Sequence, residues 1–494
     1  MSEEENQLSV EDSAKGLQNM VKQGAFAQVK NTLTESVFLV GFALLLGAPN
    51  TVIGILAAIP SITQLLQIPA VLLIDKFKNR RQLNFITQLG NRFGILIMGL
   101  IPFIALGEIS VLLLIGAIAI QATFTSIGSP SWNSWLRDLV PKEKLGEFFA
   151  TRMAVSGIMA IIASLLGGLF IGVWSTNYPT LVSLGYSILF FIAFSSGMIA
   201  IYYTLVTPEP QLLSSHGHLK FSELIAEPFK NENYRSLMIF SGIWSLSTAI
   251  VAPFMTVYIL SRLGYDLSIA AMLTALTQLM SVGFLRLWGN LSDRFSNKSI
   301  LQVSVPVFIL ATFLWTYTSI ADYAQLTLLL LIVIHLLLGF SSAGVNLGTN
   351  NVGLKLSPRR QASIYLAARG SVVAMMSAVA SVLGGILADL FALQELVFSI
   401  SWINPGGTVV VQTYHIMGLD FVFLISVMTG IYALHRLSLV KEEGEVEESI
   451  IVNEIFAETR RNVKTLSTID GLKQTFQVPI QRGKKRSKKK EKQE

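Results

Sequence analysis

Residues 325–345 read QLTLLLLIVIHLLLGFSSAGV and contain no aspartate, glutamate, lysine or arginine. A helix of about 20 residues spans the roughly 30 Å of hydrocarbon in a bilayer. Comparable apolar runs recur along the chain of 494 residues, of which 52% are hydrophobic and only 14% charged. The runs lack the alternation of a barrel strand, and apart from closed barrels only helices satisfy the backbone polar groups in lipid. The sequence therefore predicts an all-α integral membrane protein.

Twelve such runs are predicted to be transmembrane helices. They lie near residues 31–47, 51–74, 83–105, 109–129, 148–173, 179–205, 236–260, 267–291, 299–319, 325–345, 363–391 and 417–437. The predicted organisation is an N-terminal cytoplasmic segment (1–30), a six-helix half (31–205), a polar linker (206–235), a second six-helix half (236–438) and a basic cytoplasmic tail (439–494).

The distribution of basic residues predicts the orientation. Each loop on one side of the membrane carries two or more lysines or arginines, whereas the loops on the other side carry only Arg262. Cytoplasmic loops are enriched in lysine and arginine. Both termini are therefore expected in the cytoplasm of a multi-pass protein of the plasma (cell inner) membrane. The acidic residues Glu3, Glu4 and Glu5 do not fit the basic start of a cleavable signal peptide.

The two predicted halves contain an internal repeat. The segment ASLLGGL at 163–169 corresponds to ASVLGGI at 380–386. The same constant offset relates Leu139, Pro141, Arg152, Ala163, Ser164, Leu166, Gly167 and Gly168 to Leu356, Pro358, Arg369, Ala380, Ser381, Leu383, Gly384 and Gly385. A parallel repeat of two six-helix units is typical of transporters whose substrate site lies between the units near the midplane.

Two loops carry a motif that resembles a known family signature. The loop after the eighth run reads GNLSDRFSNK from Gly289 to Lys298, and the loop after the second run reads VLLIDKFKNRR from Val71 to Arg81. Both resemble the G-x-L-x-D-R/K-x-G-x-R/K-R/K signature of the major facilitator superfamily (MFS), although both lack its second glycine and the first copy has Val71 in place of its first. The sequence is thus similar to this transporter family over residues 31–437.

The resemblance implies a gating role for these loops. In the family the aspartate of the signature helps to hold the outward-open state, and Asp75 and Asp293 occupy its positions. Such a carboxylate accepts hydrogen bonds from a neighbouring helix N-terminus and pairs with nearby cations. The charges could instead be ordinary positive-inside anchors. The other candidate gating residues are Lys76, Arg80, Arg81, Gly289 and Arg294.

Four ionisable residues stand out as candidates inside the predicted spans, where a charge is costly and generally faces a cavity or a partner. Glu35 is either a cavity residue or an interfacial residue paired with Lys30. Arg92 binds either a structural partner or a ligand, and Arg286 either faces the cavity or extends to the surface. His335 either carries a coupling proton or is a neutral residue bonded to a backbone carbonyl.

The family resemblance also implies that spans 1, 4, 7 and 10 line a central cavity. Polar or aromatic side chains there either contact a substrate or join helices. These candidates are Gln121, Thr125, Trp244, Ser247 and Asn346, with Gln64 and Gln278 reaching in from spans 2 and 8.

Three segments lie outside the predicted spans. The external loop 392–416 contains a Pro-Gly-Gly turn beside a short β-prone run, and it is either a lid or a passive loop. Residues 8–28 and 446–476 are consistent with surface amphipathic helices. The tail from Arg482 to Lys492 is either solvated or in contact with anionic lipid or RNA; no specific nucleic-acid binding is expected.

The sequence favours a secondary transporter of a small molecule, a symporter or antiporter that is coupled to protons and works as a monomer. The chain has no cysteine, which excludes disulfides and cysteine-ligated metal, and no nucleotide-binding motif is present. We expect no cofactor, no metal and no catalytic residues. The alternatives are a non-transporting MFS-like sensor or scaffold, and an enzyme acting on lipid, for which His216 and His218 are the nearest candidates.

Overall fold

The computed structural model describes residues 10–70, 79–104, 107–141, 145–210, 227–318, 324–358, 361–405, 407–446, 449–455 and 457. The helices are α1 (Val10–Thr34), α2 (Ser36–Leu45), α3 (Asn50–Thr63), α4 (Arg80–Ile104), α5 (Glu108–Leu139), α6 (Leu145–Asn177), α7 (Val182–Leu205), α8 (Glu232–Val257), α9 (Leu267–Arg294), α10 (Asn297–Leu314), α11 (Ala324–Lys355), α12 (Ala362–Phe391) and α13 (Asp420–Ser438). Strands β1 (Glu395–Asn404) and β2 (Gly407–Met417) lie between α12 and α13.

Helices long and apolar enough to cross a membrane dominate the structure. Eleven stretches qualify within the described part of the chain, from Asn50–Ala70, which contains α3, to Asp420–Ser438. The run quoted first, 325–345, lies inside α11. The predicted helical membrane class is therefore confirmed. The segment predicted as the first span, 31–47, is divided between the end of α1 and α2.

The break between α1 and α2 lies at Glu35 and Ser36. Glu35 is extended (φ −127°, ψ 178°), and Ser36 has φ 51°. Ser36 is the only non-glycine residue with a positive φ among the described residues. Such a conformation costs on the order of 1–3 kcal/mol and persists only where the surrounding structure imposes it. No proline or glycine occurs at the break, so tertiary packing must maintain it.

Aromatic packing holds α2 in place beyond the break. Phe38 and Phe42 are almost completely buried. The ring of Phe42 lies 5.3 Å from that of Tyr186 and 5.1 Å from that of Phe190, both on α7. Large apolar surfaces and edge-to-face ring pairs of this kind stabilise a packed arrangement. Packing against α7, together with contacts to α8 and α9, therefore holds α2 in place, rather than continuation of α1.

The connections between helices alternate between two faces of the molecule. One face, here called the basic face, carries the loops rich in lysine and arginine, including the start of α4 and the end of α9. The opposite, hairpin face carries β1 and β2, which pair antiparallel with an irregularity at Phe398 and Ser399. All ten residues of β1 are exposed. The sequence indicated only a short β-prone run here, so the hairpin is longer than predicted.

The repeated Gly-Gly pairs explain how the helices approach one another. A Cβ on Gly168 of α6 would lie 2.5 Å from Ala271 of α9, and one on Gly385 of α12 would lie 2.5 Å from the carbonyl of Asn50 on α3. Only glycine permits such close approach of two helices. In both copies of the repeat, the second glycine of the pair therefore lies where a helix of α1–α7 contacts a helix of α8–α13.

Candidate functional site

A cavity of about 550 Å³ lies beside the break between α1 and α2. We call it the break cavity. Helices from both parts of the chain line it, with α8 and α12 contributing small and hydroxyl side chains. Its polar lining consists of Lys30, Asn31, Glu35, Ser36, Ser61, Thr63, Gln64, Gln67, Gln121, Thr125, Ser126, Ser129, Thr256, Ser377 and Ser381. A volume of this size accommodates a small molecule.

Lys30 and Glu35 are the charged residues of this lining. The side chain of Lys30 is 6% exposed, whereas Glu35 is exposed to the cavity. The two groups interact electrostatically, but neither forms an ion pair within the described residues. The sequence had left open an interfacial pair between Glu35 and Lys30, and the structure does not contain it.

A hydrogen-bond network supports the cavity wall from behind. Gln121 donates through Nε2 to Oγ1 of Thr34 (3.3 Å), which ties α5 to the end of α1. Asn91 donates to Oγ1 of Thr125 (2.8 Å), and Arg92 donates to Oδ1 of Asn91 (3.0 Å). Arg92 therefore does not line the cavity itself. It is connected to the cavity wall through the side chains of Asn91 and Thr125.

Contacts between α3 and α12 close the hairpin face. The carboxylate of Asp389, at the end of α12, accepts hydrogen bonds from the backbone amides of Asn50 (3.1 Å) and Thr51 (2.8 Å) and from the Thr51 hydroxyl (2.6 Å). The N-cap residue of α3 is Pro49, which makes no side-chain cap. A carboxylate at a helix N-terminus interacts favourably with the free amides and the helix dipole. Asp389 thus caps α3 from the other part of the chain.

A second contact between α6 and α9 closes the same face. Ser268, in the first turn of α9, donates to the carbonyl of Gly168 (2.9 Å), and Ser164 donates to the carbonyl of Ala271 (3.0 Å). These hydrogen bonds between α1–α7 and α8–α13 lie in the half of the molecule nearer the hairpin face. Ser129 and Gln67 extend the cavity lining towards the basic face. Among the residues that the structure describes, the cavity is therefore closed on the hairpin face and opens towards the basic face.

The structure brings only some of the predicted cavity residues together. Glu35 and Gln121 line the break cavity, and Arg92 supports it from behind. Trp244 packs on Phe308 with ring centroids 5.2 Å apart, away from the cavity. Arg286 and Asn346 are exposed elsewhere. Among the other sequence candidates, Gln64 and Thr125 also line the cavity, whereas Ser247 donates to the carbonyl of Ser426 (2.8 Å).

His335 belongs to α11 and packs against α9, away from the break cavity. Its Nδ1 is 2.8 Å from Oγ1 of Thr277, its ring packs on Trp315 at 5.9 Å, and the residue is 6% exposed. Its Nε2 has no partner within the described residues. His335 therefore has no direct access to the break cavity in this conformation.

The candidate gating residues Arg80 and Arg81 of the first loop form hydrogen bonds with residues of α5 and of the segment after α7. Arg80 is fully buried and donates to Oδ2 of Asp138 (2.6 Å). The carboxylate of Glu209, just after α7, accepts hydrogen bonds from the backbone amides of Arg80 (2.7 Å) and Arg81 (3.2 Å). Arg80 and Arg81 therefore join α4, α5 and the segment after α7. Asp75 and Lys76 lie outside the described residues.

The second loop is organised in a similar way by the segment after α13. The carboxylate of Glu442 accepts from the Lys298 amide (2.7 Å), from Asn297 Nδ2 (3.0 Å) and from Lys355 Nζ (2.9 Å). Burial raises the pKa of Glu442, but these hydrogen bonds outweigh it and hold the pKa below its ordinary value. Glu442 thus caps α10 as Glu209 caps α4.

Of the remaining gating candidates, Asp293 and Arg294 are solvent-exposed and Gly289 is half-buried. Arg294 pairs with Glu454 (2.5 Å) in the segment that follows α13. Asp293 is exposed, and no hydrogen bond or ion pair involves it in the part of the chain that the structure describes. A Cβ on Gly289 would enter open space. The role of Asp293 in holding an alternative conformation stays a prediction.

Sequence reasoning missed Lys30, Asn31, Gln67 and Asp389 as site residues. Lys30 and Asn31 were assigned to the edge of the first span because the apolar run begins there, although α1 extends back to Val10. Asp389 lies near the end of the predicted span 363–391 and was not among the predicted site residues. The presence of Lys30 and Glu35 on either side of a hydroxyl-rich stretch, NTLT, was the available signal.

The family model of the major facilitator superfamily matches residues 24–388. The chain belongs to the major facilitator superfamily. No protein of curated function matches it. Among the solved structures, the MFS fold is shared with the nucleoside transporter NupG (15% identity, TM-score 0.63, covering 86% of this chain and 100% of that chain). It is also shared with a bacterial homologue of the iron transporter ferroportin (12% identity, TM-score 0.62, 88% and 100%).

A third MFS structure is a bacterial homologue of the human lysosomal transporter Spinster (16% identity, TM-score 0.59, 88% of this chain and 96% of that chain). At these identities the likenesses show the fold alone. Membership of the MFS indicates a multi-pass membrane transporter that binds a small molecule, rather than an enzyme. Neither the family nor these structures favours the sensor or scaffold alternative.

Proposed function

We propose that the chain is a secondary active transporter that moves a small polar molecule by alternating access, coupled to protons through Glu35. In this proposal α1 and α2 together form one interrupted span, so that twelve spans form two six-helix halves, α1–α7 and α8–α13. The basic face is cytoplasmic, the protein lies in the cell inner membrane, and the conformation described above is inward-open.

The break cavity is the observation that carries the proposal. It lies between helices of both halves, and it is closed on one face by paired contacts, Asp389 with α3 and Ser268 with α6. A site between two rigid units can be exposed alternately to each side when one unit rocks against the other. Small interface contacts that break and reform suit such rocking because they give two discrete packings.

Glu35 is the residue that best fits a proton carrier. Its carboxylate is exposed to the cavity, so water and substrate reach it from the open face. Protonation would neutralise the carboxylate before the cavity closes to one side of the membrane and opens to the other, which lowers the free-energy cost of enclosing this group. His335 is the alternative carrier on chemical grounds, but Thr277 and Trp315 enclose it away from the cavity.

Uptake by proteoliposomes with an imposed pH gradient, acidic outside in one set and acidic inside in another, tests transport. Labelled alanine, dialanine, uridine, glucose and succinate sample the main classes of small polar solute. We expect at least one of them to accumulate above its equilibrium level and to lose that accumulation when the gradient is collapsed. If none accumulates with folded, reconstituted protein, the proposed function is wrong.

Glu35→Gln tests the coupling with whichever of these solutes is accumulated. We expect gradient-driven accumulation to fall at least about tenfold, because the amide cannot take up a proton, while exchange of labelled for unlabelled solute without a gradient continues. His335→Gln is the matched control and should retain accumulation. If His335→Gln loses accumulation and Glu35→Gln retains it, the coupling residue is His335.

A further inference from the structure

We propose that the break cavity binds a small zwitterion, with the anionic group of the ligand at Lys30 and its cationic group at Glu35. This inference rests on the proposed function and deepens it by naming a substrate class. It is carried by two opposite charges that face one cavity without pairing to each other.

The charge of Lys30 lies almost buried in the cavity wall. Its side chain is 6% exposed, it lines the cavity, and no hydrogen bond or ion pair satisfies its ammonium group within the described residues. A charge in this position is costly unless it is paired and hydrogen-bonded. An anionic group of a ligand would supply the missing partner.

The helix ends at the break favour the charges of both Lys30 and Glu35. Lys30 lies one turn before Thr34, where α1 ends, and Glu35 is the N-cap residue of α2. A cation is stabilised near a helix C-terminus and an anion near an N-terminus. The break therefore stabilises both charges within the membrane without joining them. The Glu35 side chain also makes no cap hydrogen bond, so its carboxylate is available to a ligand.

The formal charge of the cavity lining favours a zwitterion over a singly charged ligand. Apart from Lys30 and Glu35, the lining residues are amides, hydroxyls and apolar side chains, so the formal charge of the lining is zero. A ligand with one charge would leave one of the two groups unpaired, whereas a zwitterion pairs both. Arg92, which interacts electrostatically with Lys30, adds positive potential on that side and favours the anionic end of the ligand there.

A charge-deletion series on one ligand skeleton tests the proposal. The probes are L-alanine and dialanine as zwitterions, their N-acetyl derivatives as anions, and their amides as cations. Binding is measured by isothermal titration calorimetry on the purified full-length protein. We expect the better-fitting zwitterion to bind at least about tenfold more tightly than either of its singly charged derivatives, since each lost ion pair costs about that factor.

Paired variants assign each charge. In Lys30→Met the zwitterion should lose its advantage over the amide, and in Glu35→Gln it should lose its advantage over the N-acetyl derivative. Lys30→Arg keeps the charge and should keep the discrimination, which covers the case that Lys30→Met does not fold. Lys22→Met is the matched control on the same helix, where Lys22 lies 5.6 Å from the ring centroid of Tyr203, and it should bind like the wild type.

Two outcomes would overturn the proposal. One is equal affinity for the zwitterions and their singly charged derivatives in the wild type. The other is binding of uridine or glucose, with accumulation of that solute in liposomes, while no zwitterion binds. In the second case the proposed transport function stands and only the substrate class is wrong.

Discussion

Asp389→Ala is expected to open the hairpin face. The substitution removes the carboxylate that caps α3 through the amides of Asn50 and Thr51 and through the Thr51 hydroxyl. Charge-assisted hydrogen bonds contribute about 1.5–3 kcal/mol each, and less when they are exposed to water. We therefore expect the inward-open conformation to lose about 2 kcal/mol relative to the outward-open one, a shift of roughly 30-fold in their ratio.

A single introduced cysteine reports this shift, since the chain has no cysteine of its own. Ile53 lines the cavity, lies one turn from Asn50 and is 1% exposed. In the Ile53→Cys background, a membrane-impermeant maleimide applied from the hairpin face should label the Asp389→Ala variant much faster than the parent. Glu395→Gln is the control, because Glu395 pairs with His415 inside the hairpin. Equal labelling rates in all three proteins would show that Asp389 does not close this face.

Arg80→Met is expected to destabilise the fold rather than to change the gate. The Arg80 guanidinium is fully buried and paired with Asp138, and Glu209 lies 3.6 Å from its Nε. Removing one partner of a buried ion pair leaves an uncompensated charge and costs about 3–5 kcal/mol. All these partners belong to α1–α7 and the segment just after α7. The melting temperature of the purified protein should therefore fall well below that of the wild type.

Arg137→Met is a matched control, because Arg137 contacts the other oxygen of the same carboxylate. Its Nε lies 3.1 Å from Oδ1 of Asp138, but its side chain is 66% exposed. Exposed ion pairs contribute about 0–1 kcal/mol, so this variant should melt near the wild-type temperature. If Arg80→Met melts like Arg137→Met but shifts the cysteine labelling between faces, Arg80 is a gating residue and our structural assignment is wrong.

The apolar runs and the internal repeat could be predicted because lipid leaves few alternatives. A run such as 325–345 must be helical, and α11 contains it. The Gly-Gly pairs at 167–168 and 384–385 were recognisable as repeated close-packing sites. Their contacts with α9 and α3 could not be read from the sequence, because the register between two helices depends on side chains of both.

The break in the first span could not be predicted from local signals. Residues around Glu35 and Ser36 include neither proline nor glycine, and the conformation depends on packing of α2 against α7, α8 and α9. The same difficulty applies to the intramembrane charges. Arg92 and His335 were expected to bind either a partner or a ligand, but sequence alone does not distinguish a partner such as Asn91 or Thr277 from a ligand.

Distances between spin labels on the two faces test the central claim, alternating access around the break cavity, most directly. One cysteine pair replaces Tyr178 and Leu393 on the hairpin face, and a second pair replaces Val206 and Leu354 on the basic face; all four residues are exposed. Each pair joins one half to the other and is measured by double electron–electron resonance in the wild-type and Asp389→Ala backgrounds. We predict that Asp389→Ala lengthens the hairpin-face distance and shortens the basic-face distance together. Unchanged distances, or changes of the same sign on both faces, would contradict alternating access.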